Sequence, residues 1–306
     1  MAPAPHLPVL YQAIITGLRP QSAGRYIDGT LGAGGHAAGI LTHSAPDGEL
    51  LGLDLDPQAL AIARETLAPF GGRAHILQAS YLTMGDEAAK LGWDAVDGIL
   101  LDFGVSSMQL DTPQRGFSFL SDGPLDMRFS PTATRSAADL VNALPEEELA
   151  EIIFRYGEER LSRKIARAMV ANRPIHSTKA LADLILKTIG KRERIHPATR
   201  TFQALRIAVN AELESIESVL PIAVRLIRPG GRLAVISFHS LEDRLVKEYF
   251  RRESRDCICP PRQPVCTCEH SASLTEINRK PIEADEDEIK ENTRARSAKL
   301  RIAQKI

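Results

Sequence analysis

The chain has 306 residues, of which 43% are hydrophobic and 25% charged, which is typical of a globular protein with one large domain or two. Its apolar runs are shorter than the ~18 residues that cross a bilayer, and its first residues lack the basic and apolar regions of a signal peptide. We therefore expect a cytoplasmic protein without membrane contact. The net charge of −1 excludes nucleic-acid binding through overall charge, but not through a local basic surface.

The first predicted elements are a short strand at 25–28, a glycine-rich turn, and a helix that starts near Ala37. The glycines of the turn are Gly32, Gly34 and Gly35. They permit positive φ angles and a close backbone approach, and the helix presents free N–H groups to whatever lies on the turn. A second strand ends in Asp54, 22 residues after Gly32, where such units present a carboxylate to ribose hydroxyls. This pattern predicts a site for an adenosine-containing cofactor.

The glycines alone leave the identity of that cofactor open. Gly32-x-Gly34-x-x-Ala37 also fits the loose dinucleotide fingerprint of NAD-dependent oxidoreductases, and similar turns occur in purely structural loops. Asp28, in the strand before the turn, favours S-adenosylmethionine, because its carboxylate suits a cationic sulfonium and would repel a pyrophosphate. A Pro-Gly turn within 226–236 leads into an apolar strand, which is also typical of the methyltransferase sheet.

Two further strands are predicted at 74–78 and 96–102, and they alternate with helical stretches as in a parallel α/β sheet. Each of the four strands has a polar residue at or just beyond its carboxyl end; these residues are Asp28, Asp54, Tyr81 and Asp102. Ligands of open α/β sheets bind beyond the carboxyl ends of the strands. We therefore expect the four side chains to lie at one edge of the sheet.

The alternation of strands and helices stops after the fourth strand. Residues 109–126 are rich in Gly, Pro, Ser and Asp, which predicts a loop. Helices are predicted to start at Pro145, to run over 158–171, to begin again at Ser177 or Thr178, and to run over 199–220. A helical block between two parts of one sheet indicates an inserted domain.

The inserted block coincides with a concentration of positive charge. Between Arg155 and Arg206 there are 13 Lys or Arg against 4 Asp or Glu, a net charge of +9. We predict that residues 111–220 form a mainly helical, basic substrate-recognition domain, and that residues 1–110 and 221–306 form a discontinuous core. A solvated helical surface is the alternative interpretation of the charge. The C-terminal segment is predicted to be either a tail or a docked strand.

The segment that follows the fourth strand is where a methyl acceptor would be positioned. The exocyclic amine of a nucleobase is a poor nucleophile, because its lone pair is delocalised into the ring. A carboxylate that accepts an N–H hydrogen bond would localise that pair and orient it. Asp102 is the leading candidate for this role; contact with the cofactor and capping of a turn are the alternatives.

Several segments resemble the bacterial 16S ribosomal RNA cytosine-N4 methyltransferases, the RsmH or MraW type. They span nearly the whole chain in order and comprise residues 26–36, 97–107, 115–119, 122–128, 196–206, 237–244 and 294–301. The resemblance implies a class I (Rossmann-like) S-adenosylmethionine-dependent methyltransferase with an inserted helical domain. It further implies methylation of N4 of a decoding-centre cytidine, position 1402 of 16S rRNA. The implied partner is 16S rRNA or the small ribosomal subunit; a homodimer is compatible with the sequence, which leaves the oligomeric state open.

The family's functional residues can be carried over one by one. Its cofactor contacts fall on Gly34, Gly35, His36, Asp54, Tyr81, Asp102 and Gln109. The catalytic candidates near the transferred methyl are Asp102, Ser106 and Ser107. The polar residues in matching motifs that would hold the flipped base or its phosphates are Asp126, Arg128, His239 and Asp243. Tyr81 stands where relatives often have Phe, and either ring can flank an adenine.

Four cysteines form two C-x-C pairs in a Pro-rich segment; they are Cys257, Cys259, Cys266 and Cys268. Four thiols within twelve residues indicate either a structural zinc site or a redox pair. The C-x-C spacing is tighter than the usual C-x-x-C, which favours reduced, unliganded thiols over zinc. The shared chemistry of the family does not require these cysteines.

Overall fold

The computed structural model describes residues 8–190, 195–261, 263 and 265–306. The chain divides into two compact units. The core unit contains the chain up to Gly104 together with Glu214–Ile306, and the helical unit contains Val105–Leu213. None of the helices in the described ranges combines the length and the apolar character that a bilayer span requires.

The core unit is built on a seven-stranded sheet. Its strands are β1 (Arg25–Asp28), β2 (Glu49–Asp54), β3 (Ala74–Gln78), β4 (Val96–Asp102), β5 (Ile227–Ser237), β6 (Leu274–Glu276) and β7 (Lys299–Lys305). They lie in the order β3-β2-β1-β4-β5-β7-β6. β1 to β5 are parallel, whereas β7 runs antiparallel to both of its neighbours. β1 lies between β2 and β4, because β2 and β3 extend the sheet on one side of β1, and β4 and β5 extend it on the other. Such sheets bind ligands at the carboxyl ends of the two strands where the order switches sides, here β1 and β4.

Thirteen α-helices accompany the sheet within the described part of the chain. They are α1 (Tyr11–Leu18), α2 (Gly35–His43), α3 (Pro57–Leu67), α4 (Met84–Lys90), α5 (Ser107–Asp111), α6 (Ala137–Ala143), α7 (Glu146–Gly157), α8 (Ser162–Ala171), α9 (Thr178–Ile189), α10 (Thr199–Asn210), α11 (Glu212–Leu226), α12 (Ser240–Glu253) and α13 (Glu286–Glu291). α5 to α10 belong to the helical unit, and the boundary to the core unit falls in the first turn of α11.

Both faces of the sheet are buried, which explains why its strands are continuous apolar runs rather than alternating ones. Leu50 and Leu100 pack with α1, α2 and α3 on one face. Leu51 and Leu101 pack with α4, α11 and α12 on the other. The C-terminal segment is a docked strand, since residues 299–304 of β7 pair with β5.

The helical unit has its own core, formed by one apolar stripe on each helix. Leu149 and Ile153 of α7 are one helical turn apart and fully buried, as are Ile165 and Met169 of α8. The basic residues of α8 occupy its outer face. The helical block predicted from the sequence therefore folds around an apolar centre and leaves the positive charges of α8 exposed.

The structure corrects three of the predicted helix boundaries. The single helix predicted at 199–220 is wrong, because Ala211 adopts a left-handed conformation with a φ of 48° and separates α10 from α11. The helix predicted at 158–171 begins only at Ser162, since Glu158 also has a positive φ of 49° and ends α7. The loop predicted at 109–126 likewise includes residues of the short helix α5.

The predicted insert and the helical unit have different bounds. The prediction placed the insert at 111–220, whereas the helical unit contains Val105–Leu213. Three of the predicted site residues, Ser106, Ser107 and Gln109, therefore lie in the helical unit and not in the core unit. The role of this unit in substrate recognition stays a prediction.

Candidate cofactor and catalytic site

The glycine-rich turn follows β1 and leads directly into α2. Gly34 is the N-cap of α2 with a φ of 85°, a conformation that side chains rarely adopt, and α2 has no side-chain cap. A Cβ atom on Gly34 would also lie 3.3 Å from Leu67 of α3. The uncapped N–H groups of α2 at Gly35 and His36 are suited to bind a carboxylate or another anion.

Asp28 ends β1 and is almost completely buried, with 1% of its surface exposed. Its Oδ1 accepts a hydrogen bond from the backbone N–H of Thr30 at 3.1 Å. Burial raises the pKa of Asp28 to about 7, and the charge of Asp54 acts in the same direction. A positively charged ligand would reverse this shift.

Thr30 links the ends of β1 and β4. Its Oγ1 accepts a hydrogen bond from the backbone N–H of Asp102 at 2.6 Å and lies 3.5 Å from Oδ1 of Asp28. The structure gives it a positioning role, because its hydroxyl contacts both the Asp28 carboxylate and the backbone of Asp102.

Asp54 fixes the turn from the end of β2. Its Oδ2 accepts the N–H of Gly32 at 2.8 Å, and its Oδ1 accepts the N–H of Asp56 at 2.8 Å. Burial raises the pKa of Asp54, while these two N–H donors oppose the rise. Each carboxylate oxygen has a further lone pair, so Asp54 can still accept hydrogen bonds from the two hydroxyls of a ribose.

His36 and Asp102 in the core unit both have buried polar atoms that lack a hydrogen-bond partner among the described residues. Nε2 of His36 lies 3.8 Å from Oδ2 of Asp102, beyond hydrogen-bonding distance. Neither ring nitrogen of His36 has a hydrogen-bond partner among the described residues, and neither has Oδ1 of Asp102. Buried polar atoms are nearly always paired in folded proteins, so these unpaired atoms indicate a site for a ligand.

Burial also determines the protonation of these two groups. It lowers the pKa of His36 to about 3, so that the imidazole is neutral at pH 7 and forms no ion pair with Asp102. It raises the pKa of Asp102 well above its ordinary value, and the charges of Asp28 and Glu242 add to the rise. A carboxylate with a raised pKa is a better proton acceptor than an ordinary one.

Glu242, in the first turn of α12, is a site residue that the sequence reasoning missed. It is fully buried, and its Oε2 accepts the backbone N–H groups of Phe238 at 2.8 Å and His239 at 3.3 Å. His239 in turn caps α12, with its Nδ1 3.4 Å from the N–H of Glu242. The available signal was a capping box, in which Glu follows the N-cap residue by three positions just after an apolar strand.

Two other predicted residues of the core unit, Tyr81 and Asp243, each contact a specific neighbouring side chain. Tyr81 begins a short 3₁₀ helix after β3, and its ring packs edge-on against Phe103 at a centroid distance of 6.0 Å. The half-buried ring of Tyr81 can flank an adenine, and the buried Phe103 supports that ring. Asp243 instead forms a two-pronged ion pair with the buried Arg301 of β7, at 2.6 and 3.1 Å, which indicates a structural role.

The predicted residues of the helical unit are held by local interactions. Ser106 is the N-cap of α5 and forms a reciprocal capping box with Gln109, which is buried. The side chain of Ser107 lies outside what the structure describes. Arg128 donates two hydrogen bonds to Asp126, at 3.0 and 2.6 Å, so that these side chains shape their own loop. Their contact with substrate stays a prediction.

The four cysteines lie in the segment between α12 and β6. Their Sγ atoms are all within 4.8 Å of one another. None of the four forms a disulfide bond. His270, the nearest histidine in the sequence, instead has its Nε2 3.1 Å from the carbonyl oxygen of Arg252.

Comparison with known proteins agrees with this arrangement of the core unit. Residues 3–306 match the MraW methylase family. The "Ribosomal RNA small subunit methyltransferase H" of Citrifermentans bemidjiense is 52% identical over 307 residues, which cover 98% of each chain. The protein of the same name from Geobacter sulfurreducens is 53% identical over 98% of this chain and 99% of its own. That from Dehalococcoides mccartyi is 51% identical over 100% of this chain and 88% of its own.

These matches confirm the resemblance on which the sequence analysis relied. They favour a methyltransferase over the alternative of an NAD-dependent oxidoreductase, which depended on the glycine turn alone. The matched residues include both parts of the core unit and the whole helical unit. The chain therefore belongs to the MraW methylase family.

Proposed function

We propose that this protein is an S-adenosylmethionine-dependent methyltransferase that methylates N4 of the decoding-centre cytidine of 16S rRNA. The name of its relatives, which are 51–53% identical over the full chain, supports small-subunit ribosomal RNA as the substrate. The observation that carries the chemistry is the unpaired, buried Oδ1 of Asp102 at the carboxyl end of β4. The cytoplasm is the proposed location, because the ribosomal substrate is there; a homodimer stays a prediction.

The residues of the core unit fit the chemical groups of S-adenosylmethionine. The free N–H groups at the start of α2 suit its carboxylate, and Asp54 suits the ribose hydroxyls. The ring of Tyr81, supported by Phe103, suits the adenine. Asp28 and Asp102 have raised pKa values that a cationic ligand would lower. When bound, the cofactor supplies an electrophilic methyl group on a positively charged sulfur.

The chain's own residues supply orientation and a proton acceptor. In our proposal, Asp102 accepts an N–H hydrogen bond from the N4 amine of cytosine and directs its lone pair at the methyl group. After transfer the amine is cationic and loses its proton readily. The raised pKa of Asp102 makes this carboxylate a suitable acceptor for that proton, and the neutral His36 presents an unpaired ring nitrogen 3.8 Å from it.

The helical unit is proposed to hold the RNA. Its positive charge is concentrated in residues 155–206, which carry a net charge of +9, and the exposed face of α8 in this stretch carries Arg163 and Lys164. Phosphate contacts by such residues supply affinity that does not depend on base sequence. The base itself must leave its stack to reach a methyl donor at the sheet edge, because an amine inside a helix is inaccessible.

Two experiments test this function. Purified small subunits from cells that lack the gene are incubated with labelled S-adenosylmethionine and either wild type or Asp102→Asn. We expect the variant to lower kcat by about 10²–10³, the usual effect of removing a positioned polar group. Asp97→Asn is the matched control, since Asp97 lies at the amino end of the same strand and contacts Arg25 and Arg228 instead. Activity of Asp102→Asn at the control's level would refute the role of Asp102.

Mass spectrometry of 16S rRNA from the deletion strain tests the substrate. We expect loss of one methyl group from N4 of the decoding-centre cytidine and its return when the wild-type gene is restored. An unchanged methylation pattern would refute the substrate assignment while leaving cofactor binding intact. Calorimetry with S-adenosylhomocysteine measures that binding separately, which distinguishes a wrong substrate from a protein that has no cofactor site.

A further inference from the structure

The segment that carries the four cysteines connects α12 to β6 and has no helix or strand among its described residues. Its base is anchored to the end of α12. The backbone N–H of Ser273 donates to the carbonyl of Glu253 at 2.8 Å, and the N–H of Ala272 donates to Asp256 at 3.3 Å. Beyond this base its large apolar side chains face solvent: Ile258 is 42% exposed and Val265 71%. Apolar burial therefore does not hold the tip of the segment together.

The sulfur atoms have the spacing of a tetrahedral metal site. Sγ of Cys268 lies 3.6 Å from that of Cys266 and 3.9 Å from that of Cys257. Zinc–thiolate bonds of about 2.3 Å at tetrahedral angles place the sulfurs about 3.8 Å apart. A disulfide requires about 2.05 Å, so these contacts are not disulfides. One ion at the centre of the four sulfurs would satisfy all of them.

The backbone around the sulfurs is arranged with an approximate twofold pattern. The N–H of Ile258, the middle residue of the first C-x-C pair, donates to Sγ of Cys268 at 3.4 Å. The N–H of Thr267, the middle residue of the second pair, donates to Sγ of Cys259 at 3.4 Å. N–H donors that point at sulfur favour the thiolate, which is the form that binds metal. The tight C-x-C spacing thus gives each pair an inward N–H in addition to two ligands.

We propose that Cys257, Cys259, Cys266 and Cys268 bind one zinc ion, which holds this segment in its folded form. The site is structural, because four thiolates close the coordination shell and leave no position for water or substrate. Soft thiolate ligands in a tetrahedral set exclude magnesium and calcium. Nothing in the proposed methyl transfer requires this ion, so the inference is independent of that function.

Metal analysis of the full chain tests the proposal. The protein is purified under reducing conditions without added zinc, and its metal content is measured by mass spectrometry. We expect one zinc per chain. In a titration with a mercurial reagent, the zinc should be released once all four thiols have reacted. Replacement by cobalt should give the intense visible absorption of a tetrahedral thiolate site. Less than a tenth of an ion per folded chain, bound iron in place of zinc, or disulfides among the four cysteines would each overturn the proposal.

Variants separate specific binding from adventitious metal. Cys257→Ser with Cys259→Ser should lose the zinc completely, whereas Thr267→Ser, which keeps the backbone donor, should retain it. Because the site lies outside the cofactor residues, the double variant should bind S-adenosylhomocysteine with unchanged affinity. It should be cleaved within residues 254–273 by a protease at least tenfold faster than wild type. Full zinc content in the double variant would overturn the assignment of the ligands.

Discussion

The raised pKa of Asp28 predicts a specific pH dependence of ligand binding. This carboxylate is desolvated, accepts one backbone hydrogen bond and has no cationic partner among the described residues, and its pKa is about 7. Its ionised fraction therefore falls from about nine-tenths at pH 8 to about one-tenth at pH 6. A ligand whose cation requires the ionised form should bind about tenfold more weakly at pH 6, which corresponds to about 1.4 kcal/mol.

Calorimetry with S-adenosylhomocysteine between pH 6 and 8 measures this effect, since its ammonium group stays charged over that range. We expect Asp28→Asn to bind weakly at both values and to lose most of the pH dependence. Burial is the main cause of the raised pKa of Asp102, and removal of the Asp28 charge lowers that pKa. His36 does not contribute, because its pKa of about 3 keeps it neutral throughout.

The same shift predicts how the stability of the free protein changes with pH. An acid whose pKa is higher in the folded state binds more protons there, so stability falls as pH rises from the unfolded pKa of 3.8 to the folded value of about 7. Between pH 5 and 8, Asp28 alone should lower the free energy of unfolding by roughly 2 to 3 kcal/mol. The difference in stability between wild type and Asp28→Asn should change by that amount.

Asp56→Asn is the matched control for both measurements. Asp56 is equally buried and caps α3 by accepting the N–H of Gln58 at 3.0 Å, a role that Asn can also perform. This variant should keep the pH dependence of wild type. The reasoning is refuted if the wild-type dissociation constant changes less than twofold between pH 6 and 8, or if Asp28→Asn keeps the full dependence.

Three further predictions concern the turn, the sheet and the basic surface. Gly34→Ala should destabilise the protein by about 1–2 kcal/mol in thermal unfolding and weaken the binding of S-adenosylhomocysteine, because it combines a φ of 85° with a close contact to α3. Gly92→Ala, with a φ of 74° but open space around the added Cβ atom, should cost less. Asp243→Asn should destabilise by roughly 3 kcal/mol, since it leaves the buried Arg301 unpaired, and denaturant unfolding measures this. Arg163→Glu should weaken RNA binding and reduce the salt slope of the affinity by about one, as measured by anisotropy at several KCl concentrations.

The strands and their terminal acids could be predicted because both depend on local patterns. Apolar runs that end in Asp are visible in the sequence, and parallel topology then brings Asp28, Asp54 and Asp102 to one edge. The helix breaks at Glu158 and Ala211 were missed because neither is a glycine. Both adopt left-handed conformations. Asn210, next to Ala211, donates to the carbonyl of Met127, a contact between residues 83 positions apart that no local pattern reveals.

The contacts that tune the site could not be predicted, because they join residues far apart in the chain. Thr30 and Asp102 are separated by 72 positions, and the charge that acts on Asp102 from α12 comes from Glu242.

The four cysteines are a case in which a local pattern pointed away from the arrangement that the fold produces. Their spacing argued against zinc, whereas the fold places the two pairs so that all four sulfurs meet. The usual C-x-x-C spacing describes two ligands in one tight turn. It does not apply when the two halves of a longer loop face each other and each half contributes a pair of ligands.

The acids at the sheet edge also explain why this site should select a cation. Among the described residues, no Lys or Arg forms an ion pair with Asp28, Asp54 or Asp102, although burial raises the pKa of all three. A hydrogen bond from a backbone N–H offsets only part of the free-energy cost of burying a carboxylate charge. Stability is therefore lost in the free protein and recovered when a positive ligand arrives. A neutral or anionic ligand of the same shape would not recover it, so the cost of burying the three carboxylates favours a charged sulfonium over a pyrophosphate.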